Sequence, residues 1–96
     1  MENLIIQWDE EKNKTNHQKH GITFEVAKLV FEDERAILFD DPDHSLEEER
    51  FLIIGIAGQS GVYIVSHCYR NEGSIIRIIS ARKATKREKK SYYEGL

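Results

Sequence analysis

The spacing of apolar positions divides the chain into short strands and helices. Residues 4–7 are an apolar stretch ending at Trp8, which predicts a first strand. Asp9 stands where a helix would be capped, with Glu10 and Glu11 at the positive end of its dipole. His17, Lys19 and His20 fill the expected last turn, and Gly21 can take the left-handed conformation that stops a helix. Between these signals, EEKNKTNHQKH has no large apolar residue. Such a helix has no hydrophobic stripe to bury, so tertiary hydrogen bonds, Trp8 or a ligand must hold it. Thr23 caps a second, short helix whose Phe24, Val26, Ala27, Leu29, Val30 and Phe31 form a broad apolar face that predicts core.

Strand character follows at residues 36–39, 51–57, 62–70 and 74–81, with GQSG and NEGS as hairpin connections between the last three. From Thr85 the pattern turns charged and helical, with Tyr92 and Tyr93 near its end. The order β-α-α-β-β-β-β-α predicts one α+β domain over residues 1–96. Its expected core is an antiparallel sheet of about four to five strands, with two N-terminal helices and a C-terminal helix. In DDPDHSLEEERF, Pro42 bars a helix and Ser45 can bond locally, so this stretch predicts a turn leading into the strand that begins near Phe51. A turn offers His44 nothing to fix its ring. Arg50 alternates with Leu52, Ile54 and Ile56 along that strand.

Composition adds a charge asymmetry. Residues 1–66 hold 6 Lys/Arg and 14 Asp/Glu, a balance of −8, whereas residues 67–96 hold 8 and 3, a balance of +5. Only the second part suits a polyanion, and such a split also suits a partner protein with its own divided charge. No stretch is apolar and long enough to span a bilayer, and Met1-Glu2-Asn3 lacks the basic start of a signal peptide, so the expected compartment is the cytoplasm. A single cysteine, Cys68, agrees with a reducing location and reads as a small core residue.

Alternation sorts the polar strand residues. In VYIVSHCYR, Tyr63, Val65, His67 and Tyr69 share one face, while Ser66, Cys68 and Arg70 share the other. In SIIRIISAR, strict alternation puts Arg77 opposite in sense to Arg82. Arg77 is flanked by isoleucines and must reach a carboxylate, a phosphate or water. Metal-free RNA cleavage needs a base for the 2′-hydroxyl, an acid for the leaving oxygen and cations around the phosphorane. His67 titrates near neutrality, Tyr69 can donate a hydrogen bond or stack on a base, and Arg77 and Arg82 can pair with phosphate oxygens. For each, a half-buried strand residue with a structural partner is the competing reading. His17 and His20 lie three apart on a helix without a nearby cysteine, which favours surface histidines over a metal site. The basic run ATKREKKSYYEG is suited to phosphates or a protein partner, and equally to a solvated helix.

Together, WDEEKNKTNHQKHGITF, DPDHSLEEERF and IRIISARKATKREKKSYYE resemble the BrnT family of toxins from bacterial type II toxin–antitoxin systems. The likeness rests most on Trp8-Asp9 with Lys12-Asn13, Lys19-His20-Gly21 with Phe24, the Asp41 to Ser45 turn with Glu48, Glu49 and Arg50, and Arg77 to Arg82. It implies a RelE-like fold and a ribonuclease that stops translation by cutting RNA; with the residues above, the expectation is a metal-independent endoribonuclease with no cofactor. It also implies a BrnA-like ribbon-helix-helix antitoxin, with operator DNA reached only through the complex and no membrane partner. The candidate catalytic residues are then His67, Tyr69, Arg77, Arg82 and Glu49. Arg50, Arg70, Lys83, Lys86, Arg87, Lys19 and His20 are the candidates for RNA binding. The alternative is a non-catalytic interaction module acting as a co-repressor with a DNA-binding partner; a metal-dependent hydrolase is the least favoured reading.

Overall fold

A computed structural model of the chain describes residues 4–41 and 49–95. The predicted turn around Pro42, His44 and Ser45, with Glu48, lies outside the described residues. Strands β1 (Ile5–Gln7), β2 (Ile37–Asp40), β3 (Phe51–Ile56), β4 (Val62–Arg70) and β5 (Ile75–Lys83) form one sheet in the order β1-β5-β4-β3-β2. Helices α1 (Glu10–His20), α2 (Phe24–Ala27) and α3 (Lys86–Glu94) complete the α+β architecture, and a 3₁₀ segment, Lys28–Glu32, continues α2. No described helix is long and apolar enough to cross a membrane.

The sheet is mixed where a purely antiparallel one was expected. β2 to β5 form the antiparallel meander, but β1 pairs parallel to β5, Gln7 lying opposite Arg77. Two helices and the 3₁₀ segment separate β1 from β2 in the chain, and the two strands lie at opposite edges of the sheet.

Each face of the sheet has its own core. On one, Ile53, Tyr63, Val65, Ile78 and Ala81 pack with Phe24, Ala27 and Val30 of the α2–3₁₀ segment. On the other, Ile54, Val62 and Ile64 pack with Tyr92 of α3, joined by Ile37, Leu52 and Ile56. Gly55 is required by the first layer, since a Cβ there would stand 3.0 Å from Asp33 Oδ2 and 3.1 Å from Ala36 Cβ.

α1 shows how a helix without apolar residues is held. Its Asp9 and Gly21 caps form as expected, Asp9 accepting from the Glu11 N–H at 3.0 Å and Gly21 adopting φ 75°. Its buried residues are two asparagines. The Asn16 amide donates to the Ala81 carbonyl at 2.9 Å and to the Ile22 carbonyl at 3.1 Å, while its oxygen accepts from the Ala81 N–H at 3.0 Å. Asn16 thus exchanges both hydrogen bonds with Ala81 as a neighbouring strand would, on a stretch of β5 beyond the β1 pairing. Asn13 accepts from the Phe24 N–H at 2.8 Å and donates to Glu25 at 2.9 Å, tying α1 to the start of α2. Burying amides in this way is tolerable only because their partners are supplied.

The opposite edge is closed by Asp33. β2 stops pairing at Ile54, and beyond it the Ile56 N–H donates to Asp33 Oδ2 at 2.8 Å. The Tyr92 hydroxyl reaches the same oxygen at 2.5 Å, and the Arg35 N–H reaches Oδ1 at 2.9 Å. Burial works against the Asp33 charge, but these three donors outweigh it and hold its pKa below the usual value. Burial and the Asp33 hydrogen bond push the Tyr92 phenol up to about 12.

Two outcomes test this account. Asn16→Ala leaves the Ala81 N–H buried without its acceptor, and should lower the unfolding free energy by about 2–4 kcal/mol in urea titration. Tyr92 has a folded pKa above its unfolded value, so its contribution is complete below pH ~10 and is lost as pH rises through about 12. The stability difference between the native chain and Tyr92→Phe should therefore shrink across that window; an unchanged difference would contradict the Asp33 link.

Candidate functional site

The arginines meet on one face because β5 is irregular. Ser66 pairs with Ser80 and His67 with Ile78, which leaves Ile79 as an extra residue, a β-bulge. Strict alternation separates Arg77 from Arg82. The bulge restores them to the same side, Arg77 opposite Cys68 and Arg82 opposite Ile64. Arg70, two residues beyond Cys68 on β4, shares this face, and Arg50 precedes β3 in phase with Leu52 and Ile54. The Asp41 N–H donates to the Arg50 carbonyl at 3.1 Å, extending the β2–β3 pairing to Arg50. Across the sheet this face presents Gln7, Arg77, Cys68 and Arg50 at one end and Ser80 with Ser66 in the middle. Arg82 and α3 stand at the other end.

The two central arginines have different settings. Arg77 is half-buried, and its guanidinium donates to the Gln7 side chain at 3.3 Å. Arg82 forms a two-pronged pair with Glu88, Nη1 to Oε1 at 2.9 Å and Nη2 to Oε2 at 3.0 Å. Glu88 also closes a capping box with Thr85 at the start of α3. Arg82 is the main cause that brings the Glu88 pKa down to about 2, and Glu88 in turn raises that of Arg82. Glu88 thus braces one arginine of this face. Glu49 is exposed just before Arg50.

His67 and Tyr69 lie on the other face. His67 is 0% exposed, so it cannot meet an RNA hydroxyl directly; the competing reading, a core histidine, describes its surroundings. Its ring packs edge-on against Phe31 at 4.9 Å and near Phe51 at 6.2 Å. Burial lowers its pKa, which the bond to the Val65 carbonyl only partly opposes. Nδ1 is 3.2 Å from that carbonyl, so it carries the proton of the neutral ring, and Nε2 accepts from the Tyr69 hydroxyl at 3.2 Å. Tyr69 is 38% exposed at the end of β4, and its phenol is pushed up by burial.

The other candidates fall in separate places. Lys86 and Arg87 begin α3, whereas Lys83 pairs with Tyr63 and so lies on the face opposite Arg82; Arg87 also borders an apolar groove between β2 and α3 with Ile37, Phe39 and Tyr92. Lys19 and His20 line an open groove of about 280 Å³ between α1 and β5, which includes Lys12, Ile79 and Ser80. Sequence reasoning missed Lys12 as a neighbour of Lys19 and Ser80 in this groove, because the packing of α1 on β5 rests on Asn16 and leaves no apolar stripe to read. Among the described residues, no three His, Cys, Asp or Glu side chains group to hold a metal ion.

The family described as "Ribonuclease toxin, BrnT, of type II toxin-antitoxin system" matches residues 8–88. Among solved structures, the chain is similar to that of the Brucella abortus ribonuclease toxin BrnT. That likeness has a TM-score of 0.65 and 25% sequence identity, and covers 86% of this chain and 99% of the other. No curated protein sequence matches the chain.

The Arg82–Glu88 pair yields a pH expectation. Glu88 has a depressed folded pKa, so its stabilisation is present above the unfolded value near 4.5 and is lost as pH falls through about 2. Because both side chains are partly exposed, Glu88→Gln should cost no more than about 1–2 kcal/mol in thermal or urea unfolding at pH 7, and that cost should vanish toward pH 2.

Proposed function

We propose that this chain, which belongs to the BrnT family of ribonuclease toxins of type II toxin–antitoxin systems, is a metal-independent endoribonuclease that cuts RNA across its arginine face. By removing RNA it stops translation, and a BrnA-like antitoxin neutralises it and carries the complex to operator DNA. The observation that carries this reading is the Ile79 bulge, which gathers Arg77 and Arg82 on one face with Arg50 and Arg70.

In the proposed reaction the RNA 2′-oxygen attacks the adjacent phosphorus. The P–O5′ bond breaks, leaving a 2′,3′-cyclic phosphate and a 5′-hydroxyl. Arg77 and Arg50 hold the nonbridging oxygens as negative charge grows on the phosphorane, with Arg70 on the neighbouring phosphate. Arg82 contributes less, because Glu88 already occupies both prongs of its guanidinium. Glu49, exposed beside Arg50, is the carboxylate best placed to take the 2′-proton. The departing 5′-oxygen takes its proton from water, and Tyr69, at the same end of the sheet but on the opposite face, serves only as a stacking platform for a base carried past the strand end. His67 acts only through it, holding the phenol.

Induced expression should arrest growth and degrade RNA, and purified protein should cut RNA in the presence of a chelator. Arg77→Ala should lower the cleavage rate by about 10²–10³ and relieve the arrest while the far-ultraviolet circular dichroism is unchanged. A folded protein that forms a complex with its antitoxin but leaves RNA intact, with and without ribosomes, would instead identify the co-repressor module.

A further inference from the structure

The geometry points to a second RNA subsite, formed by the α1–β5 groove, that holds the backbone phosphates of the strand beyond the arginine face. This rests on the ribonuclease reading and extends it from a cut site to a track. α1 runs beside β5, pinned by Asn16 at Ala81. Lys12 and Lys19 flank Asn16 on the same side of the helix, two turns or about 10 Å apart. Both are exposed, and both line the groove with Thr15 and His20.

The floor comes from the bulge. Ile79, the unpaired residue, offers an apolar surface to a ribose or base edge, and Ser80 offers a hydroxyl. Ser80 belongs to the arginine face through its pairing with Ser66, so the groove and that face are continuous across β5. Glu11 also lines the groove, leaving Lys12 and Lys19 in excess before His20 is counted. A polyanion with charges a few ångströms apart fits that spacing, and single-stranded RNA is such a ligand. A strand leaving Arg77 along β5 meets Ser80, then the two lysines.

The same helix supplies a charge-matched control. Lys14 is exposed and about 200° around α1 from Lys12, on the side away from the groove. The probe is a fluorescent, fully 2′-O-methylated RNA decamer, which cannot be cut, titrated by anisotropy at several salt concentrations. Replacing both Lys12 and Lys19 with alanine should weaken binding on the order of tenfold at 0.1 M salt and reduce the salt slope by about 1.4. Lys14→Ala should stay within about twofold per charge removed. Equal effects per charge from Lys14 and the groove lysines, or no effect of the double variant, would overturn the subsite. If the pattern appears but uncapped natural RNA is never cut by the native chain, the subsite stands and the ribonuclease reading fails.

Discussion

Asn16 is the constraint on which the rest of the structure depends. Its side chain trades both hydrogen bonds with Ala81. In one contact it anchors a helix that has no apolar face, satisfies the edge of β5 beyond β1, and fixes that strand immediately after the Ile79 bulge. The bulge then decides which side chains share a face. Without it, Arg77 and Arg82 would stand on opposite sides of a sheet one chain thick, and no single RNA strand lying on one face could touch both.

The far edge uses the same device with a carboxylate. Where β2 ends, Asp33 takes the place of a strand for Ile56 and simultaneously receives Tyr92 from the other layer. Open strand edges are sites of unwanted pairing, and a side chain that satisfies them costs less chain than another strand. Both closures are polar and well partnered, Asn16 buried and Asp33 half-buried, the condition under which such networks specify one arrangement. α3 is doubly attached, through Tyr92 to Asp33 and through Glu88 to Arg82. Arg82 consequently serves the docking of a helix as much as any ligand.

Much of the architecture was legible in the sequence. Asp9, Thr23 and Gly21 marked real helix ends, and of the three supports that EEKNKTNHQKH left open, tertiary hydrogen bonds, Trp8 or a ligand, the hydrogen bonds of Asn13 and Asn16 are present. The spaced motifs pointed to the family whose description matches residues 8–88. Three features were hidden for physical reasons. A bulge inserts one residue into a strand without disturbing its composition, so period-two reasoning misassigned the face of Arg82. Parallel pairing of β1 depends on where two helices deliver the chain, which local pattern does not encode. Burial of His67 depends on Phe31 arriving from a distant segment. The Thr85 and Glu88 spacing was a visible capping-box signal, and it would have warned that Glu88 was near enough to engage Arg82.

The two faces of the sheet differ: one is apolar under α2, and the other divides between an apolar end packed against α3 and a cationic end carrying Arg77, Arg70 and Arg50. RNA recognition on the cationic side is the central claim. Its most direct measurement is a ¹H–¹⁵N spectrum of the chain titrated with the uncleavable RNA decamer. The account predicts shifts concentrated at Arg50, Arg70, Arg77 and Ser80, with Phe24, Val30 and Phe31 unmoved. Shifts confined to Phe24, Val30 and Phe31 would contradict it.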